Sequence, residues 1–274
     1  MIHIMLDLET WGTSPGSDIR SIGACLFDPV TRYIGDHGAN YLFYIATDNP
    51  ITFTHSPDGQ PYDEPLRKYP LSRDPQTAQW WAEQSDEAQA AFANPVDLRE
   101  ALERFTNWLA AISNNIAPFH ANDIRIWSHG AAFDPPILAA AYAAVGLPVP
   151  WHYRAPRDTR TLFDLAGITD HSAWLNQHPG PLAVPHHALD DAICQARAVV
   201  AAYARIAVMI DWNAPLELMD GTPVRLTDDS HHDPDGDYWI ERDDSAEIGS
   251  IDVDGETYSI HKCVSIPTAA RKAP

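Results

Sequence analysis

The chain has 274 residues, 45% hydrophobic and 20% charged, enough for one large domain with a substantial core or one domain plus a small module. Its formal charge of −20 excludes a long footprint on duplex nucleic acid, because phosphate contacts come mainly from Lys and Arg. Three scattered cysteines, Cys25, Cys194 and Cys263, form no CxxC pair, which argues against a disulfide framework or a zinc site and suits a reducing cytoplasm.

The opening MIHIMLDLETWG has no basic n-region and does not read as a signal peptide. No apolar run reaches the roughly 18 residues of a membrane span, so no membrane partner is expected. MIHIMLDL (1–8) reads as a buried strand ending at Glu9. DIRSIGACLFDP (18–29) and GANYLFYIA (38–46) alternate well enough for two more, joined by a turn near Asp36 and Gly38 in a meander. From Thr47 to Pro75 the pattern breaks into Pro, Gly, Asp and Ser with basic Arg67, Lys68 and Arg73, which predicts a long loop.

Asp74 as N-cap and Pro75 at the first helical position open one helix over 74–92. A second covers 96–112. IRIWSHG (124–130) is a short strand running into a turn, followed by a helix over 133–146 closed by Gly146. A short helix over 158–167 and a long one over 188–210 complete the α/β part. After Trp212 come short β-type runs, GTPVRL, DYWIE and GSIDVDGETYSIHKCVSI, separated by DG and DS turns. The expected organisation is therefore an α/β domain over 1–211 and a small β module over 212–274. The module is the more acidic part, with 14 acidic and 5 basic side chains against 24 and 13 in the first 211 residues. The turn DPDGD (233–237) lacks the spacing of an EF-hand loop, and the tail TAARKAP reads as loose.

Asp7 and Glu9, two apart on a strand, project from one face at its C-terminal end. Asp134 follows the strand 124–130 and begins a helix, where it also qualifies as an N-cap. Asp191 opens the last helix of the α/β part. Four carboxylates brought to one place raise one another's pKa unless cations compensate. Two divalent ions match that charge, and oxygen ligands favour hard Mg²⁺ or Mn²⁺.

DLET (7–10), SHGAAFD (128–134) and HHALDD (186–191), in this order and at these separations, resemble the three exonuclease motifs of the DEDDh superfamily of 3′–5′ exonucleases. TAQWWAEQSDEAQAAF (77–92) and RDTRTLFDLAG (157–167) resemble the branch that contains a mycobacterial exoribonuclease and many phage exonucleases. The resemblance spans roughly residues 1–205. It implies a ribonuclease-H-like mixed sheet flanked by helices and cleavage dependent on two Mg²⁺ or Mn²⁺ ions. Asp7 would bridge both ions, Glu9 and Asp191 would hold one, and Asp134 would serve the other. The third motif has the form His, any residue, Ala, two of any, Asp, which only His186 fits; it would be the general base. His187 and Asp190 are then bystanders.

Substrate contacts are expected at Thr10, Trp11, His129, Phe133, Arg157 and Arg160. Trp11 has two readings, stacking on a terminal base or packing at a strand end. Trp80 and Trp81, on an amphipathic helix, read as core or half-buried. Arg157 and Arg160 lie on one side of the short helix over 158–167, neutralising phosphate or forming surface salt bridges. Relatives of this branch often carry Asn at the position of His129, which leaves any contact made by that amide in doubt. The expected partner is a single-stranded or overhanging 3′ end, RNA ahead of DNA, with a homodimer left open. A nuclease-like binding or scaffold protein acting through the C-terminal β module is the alternative from another class.

Overall fold

The computed structural model describes residues 1–35, 40–116, 123–182 and 184–209, and four short strands beyond them. The chain divides into two compact units, Met1–Arg205 and Ile206–Pro274.

In the first unit, β1 (Ile2–Thr10), β2 (Ile19–Asp28), β3 (Tyr33–Ile34) and β4 (Leu42–Asp48) come first. A hairpin of β5 (Ile51–His55) and β6 (Pro61–Arg67) follows, then α1 (Pro75–Ala82), α2 (Asp86–Ala90), β7 (Val96–Asp97) and α3 (Leu98–Ile116). The unit closes with β8 (Ile124–Ser128), α4 (Asp134–Ala144), β9 (Pro156–Asp158), α5 (Thr159–Leu165), α6 (His171–Asn176) and α7 (Ala188–Met209).

The main sheet runs β7-β4-β2-β1-β8-β9, with β3 beside β2. β2 is antiparallel to β1 and β4, whereas β8 is parallel to both β1 and β9. This is the expected ribonuclease-H-like mixed sheet. The pleat of β1 divides its side chains between two faces. Ile2, Ile4, Leu6 and Leu8 join one core with Leu98, Leu102, Phe105 and Leu109 of α3 and Ile137, Leu138 and Ala141 of α4. Leu102 and Phe105 are fully buried, and truncating either to Ala costs about 2–5 kcal/mol. The other face of the sheet meets α7. The Cys25 thiol lies 3.8 Å from the Ala192 carbonyl oxygen, and Gln195 reaches Asp7.

Several expectations need correction. The 47–75 segment is not one loop: its hairpin has a β5 exposed at every position, so burial leaves no imprint on the sequence there. The expected helix over 74–92 breaks into α1 and α2, because the Ser85 hydroxyl accepts from the Ala88 N–H and caps a new start. Asp134 is not a cap. Phe133 occupies that position, and Asp134 is the first helical residue. Arg157 lies on β9 and not on a helix. β7 takes the first two positions of the helix expected over 96–112, which starts at Leu98. β3, β9 and α6 had no expectation of their own, the last capped by Asp170. The meander turn near Asp36 and Gly38 lies outside the described residues.

The second unit contains an antiparallel sheet ordered β12-β11-β10-β13, from β10 (Leu216–Leu218), β11 (Pro223–Leu226), β12 (Ile240–Arg242) and β13 (Cys263–Ser265). β11 and β13 fall within expected β runs, β12 overlaps one, and β10 was not anticipated. DPDGD and the tail TAARKAP lie outside the described residues. Among the described residues, no helix is long and apolar enough to cross a membrane.

Candidate active site

The C-terminal end of β1 is the meeting point. Asp7 and Glu9 leave it on the face that meets α7. From the parallel neighbour β8 the chain turns through Gly130, at φ +121°, and starts α4 at Asp134. The Asp134 Oδ1 accepts a 3.1 Å hydrogen bond from the Leu8 N–H, which fixes α4 to β1 beside Asp7.

The third contribution comes from α7, whose close approach depends on a missing side chain. Gly23 of β2 stands opposite Asp7 in register. A Cβ there would lie 2.1 Å from the Ala188 carbonyl carbon, so only glycine lets the start of α7 reach the sheet. Asp191 then sits in the first turn of α7, and Gln195, one turn further, donates through Nε2 to Asp7 Oδ1 at 2.8 Å.

His186 precedes α7 in a left-handed conformation, φ +60°. Its ring stands edge-on to Trp80 at 4.8 Å and to Trp81 at 6.0 Å. Trp81 is buried and donates its indole N–H to the Thr10 carbonyl at 2.8 Å, which ties α1 to the end of β1. Trp80 is 42% exposed. A cavity of about 630 Å³ opens here, lined among others by Asp7, Glu9, Thr10, Trp80, Phe133, His186 and Asp191. That volume is within the roughly 300–1,000 Å³ typical of small-ligand pockets.

The electrostatics are those of crowded anions. Burial first, then Asp134, Glu9 and Asp191, push the Asp7 carboxyl well above the usual carboxylate range. Burial and then the Asp191 and Asp134 charges raise Glu9 to about 8, against the opposing pull of Arg20. Asp134 rises to about 7 through burial, and Asp191 to about 6 through burial and Asp190. Burial lowers His186, which favours its neutral imidazole. One ligand atom each from Glu9, His186 and Asp191 lies within 4.8 Å of the others, a carboxylate/His group able to hold a divalent metal. The donor set fits such an ion, because hard oxygen ligands dominate and the four carboxylates outnumber the cations that act on them, Arg20 on Glu9 and Arg160 on Asp134.

Other expected contacts are distributed differently. Thr10 and Phe133 line the cavity, but Trp11 does not. The Trp11 ring lies between the Arg20 and Arg73 guanidiniums, each 4.4 Å from its centroid, so of its two readings packing matches its surroundings. Of the Trp and Phe rings that line the cavity, Trp80 is the most exposed. His129 shares a 2.8 Å hydrogen bond with the Thr159 hydroxyl, and burial followed by Arg160 lowers it to about 4. Arg157 turns back on the main chain, donating to the Arg154 and Pro156 carbonyls at 2.8 Å each. Arg160 lies against Gly130, in the turn that leads to Asp134.

The two apparent bystanders have structural roles. The Asp190 carboxylate accepts from the Leu182 N–H at 2.7 Å and the Val184 N–H at 3.2 Å, and so shapes the segment leading to His186. His187 stacks on Tyr44 at 4.2 Å. Sequence reasoning missed Gln195, Gly23 and Trp80. Only the four-residue step from Asp191 to Gln195 offered a signal, since it puts both on one helix face.

The C-terminal end of β1, the start of α4 and the start of α7 thus bring four carboxylates and a histidine together. The chain belongs to the Rv2179c-like family, the 3'-5' exoribonuclease Rv2179c-like domain, which matches residues 2–203. It is similar in structure to the nuclease domain of 3'hExo, a DEDDh family member, bound to rAMP: 13% identity, 73% of this chain and 90% of that one, TM-score 0.44. It is also similar to cell-death related nuclease 4 (CRN-4), at 12% identity, 76% of this chain, 64% of that one and TM-score 0.48. A third similar structure is the RNase domain of the yeast Pop2 protein, at 9% identity, 80% of each chain and TM-score 0.41. Among curated proteins there is no match.

Proposed function

We propose that this chain is a divalent-metal-dependent 3′–5′ exonuclease acting on single-stranded or overhanging 3′ ends, RNA ahead of DNA. The observation that carries the reading is the convergence of Glu9, His186 and Asp191, with ligand atoms within 4.8 Å, in a cavity that Asp7 also lines.

Asp7, Glu9, Asp134 and Asp191 would hold two Mg²⁺ or Mn²⁺ ions. When bound, these ions supply Lewis acidity and offset the negative charge that builds up at phosphorus and at the leaving oxygen. The chain's own groups do the rest. His186, neutral at pH 7, accepts a proton from the attacking water as the water oxygen bonds to phosphorus. The bond from phosphorus to the 3′-oxygen breaks, that oxygen takes up a proton, and a nucleoside 5′-monophosphate leaves. Trp80 offers the terminal base a stacking surface, while Thr10 and Phe133 border the same space. A cavity of this size takes an end and not a duplex groove.

The test is hydrolysis of 3′- and 5′-labelled single-stranded RNA and DNA with added Mn²⁺, wild type beside Asp191→Ala. Stepwise loss of 3′-terminal nucleotides by wild type alone is expected. Absence of hydrolysis on every substrate would overturn the reading in favour of a nuclease-like binding protein.

A further inference from the structure

We propose that Gln195 is a positioning residue: its side-chain amide sets the orientation of the Asp7 carboxylate for metal binding. The proposal rests on the metal-dependent reading above.

Asp7 receives one side-chain hydrogen bond among the described residues, the 2.8 Å donation from Gln195 Nε2 to Oδ1. Gln195 is 6% exposed, and its Oε1 is buried without a hydrogen-bond partner. An unpaired buried acceptor is costly. A Leu or Met would fill a helical position of this size without that cost. The benefit of the amide at this position is therefore its donor, and the donor is aimed at Asp7.

The kind of donor is informative. A neutral amide can fix one carboxylate oxygen and the plane of the group while leaving its negative charge intact. A Lys or Arg in the same place would orient Asp7 as well, but its positive charge would compete with a bound cation. Gln195 is also four residues beyond Asp191, so one face of α7 brings both a carboxylate of the site and the group that orients another. Such partners of metal ligands typically affect metal affinity about 10–100-fold.

Mn²⁺ binding to the full chain, measured by isothermal titration calorimetry, tests this with wild type, Gln195→Met and Gln195→Leu. The two variants keep an apolar side chain of similar bulk and remove the donor, and either one that folds is sufficient. The expected result is Mn²⁺ affinity weakened about 10-fold or more. The Mn²⁺ concentration for half-maximal hydrolysis should rise in parallel, with kcat largely restored at saturating Mn²⁺. A folded variant that binds Mn²⁺ as wild type does would overturn the proposal and leave Gln195 a packing residue. Wild type that binds no Mn²⁺ would overturn the metal reading itself, and this proposal with it.

Discussion

Gly23 and Ala188 meet so closely that a Cβ on the glycine would lie 2.1 Å from the alanine carbonyl carbon. Because Gly23 is opposite Asp7 in register, the contact sets the height of α7 over the carboxylates of β1. Gly23→Ala should push the start of α7 outward and lose hydrolysis about 100-fold, since misplacement of about 1 Å has that effect. Overpacking should also lower stability by about 1–3 kcal/mol. Gly59→Ala is the control, at φ +83° with nothing near its Cβ position, and should leave activity unchanged. Near-wild-type rates for Gly23→Ala would mean that the close approach does not matter.

Trp80 and Trp11 should respond in opposite ways. Trp80→Ala removes the exposed ring beside His186, and KM should rise about 5-fold to over 100-fold for a stacking contact of about 1–3 kcal/mol. Its melting temperature should barely move. Trp11→Ala removes the ring between Arg20 and Arg73 and should lower the melting temperature with little change in KM. Steady-state kinetics and thermal melts decide; the same pattern in both variants would refute the assignment.

The adjacent aspartates separate structure from chemistry. Asp190→Ala strands two main-chain N–H groups, those of Leu182 and Val184, and should cost about 1–3 kcal/mol each where buried. Stabilisation by Mn²⁺ should persist in it. Asp191→Asn should keep or gain stability without metal, because one repelling charge is gone, yet lose both Mn²⁺-induced stabilisation and hydrolysis. Equal Mn²⁺ shifts for Asp191→Asn and wild type would remove Asp191 from the site.

Without metal, the raised carboxyls should make stability fall as pH rises from the free carboxylate range to about 8, and level off above it. Glu9 and Asp134, raised to about 8 and about 7, keep protons in the folded chain that the unfolded chain has already lost. The folded state therefore binds more protons, and that advantage disappears as pH passes through the two folded values. His3 and His129, lowered to about 4 by burial, have the opposite slope. Their contribution is confined largely below about pH 6.5, where free imidazole ionises. Melts in EDTA between about pH 6.5 and 8, above the range in which the histidines oppose it, should show the decline, and Glu9→Gln should reduce it. Mn²⁺ selects ionised carboxylates, so its stabilising increment should grow over the same range. An EDTA profile that rises with pH would contradict these carboxyl shifts.

Much of the candidate site was legible because its carboxylates lie at local landmarks: a strand end, the start after a strand, the first turn of a helix. The resemblance to the third exonuclease motif singled out His186 over His187, and His186 is the one in the cavity while His187 stacks on Tyr44. What stayed hidden depends on contacts far along the chain. Gln195 and Asp7 are 188 residues apart, and nothing near Gln195 announces an acceptor. Gly23 reads as one small residue in a strand until α7 is in place. The α1–α2 break turned on whether Ser85 would cap or continue a helix, and both outcomes suit the same residues. Trp80 and Trp81 share a helical pattern that does not specify which of the two is exposed and which is buried.

Among the described residues lining the cavity there is neither Lys nor Arg. A cavity lined in this way adds no phosphate contacts for a longer strand and offers no rail of positive charge along which to slide. Digestion should then be distributive: the enzyme releases after each cut, the whole population of strands shortens together, and an unlabelled trap added mid-reaction stops it at once. For the same reason its grip should weaken little with added salt, unlike that of nucleases that follow the phosphate backbone.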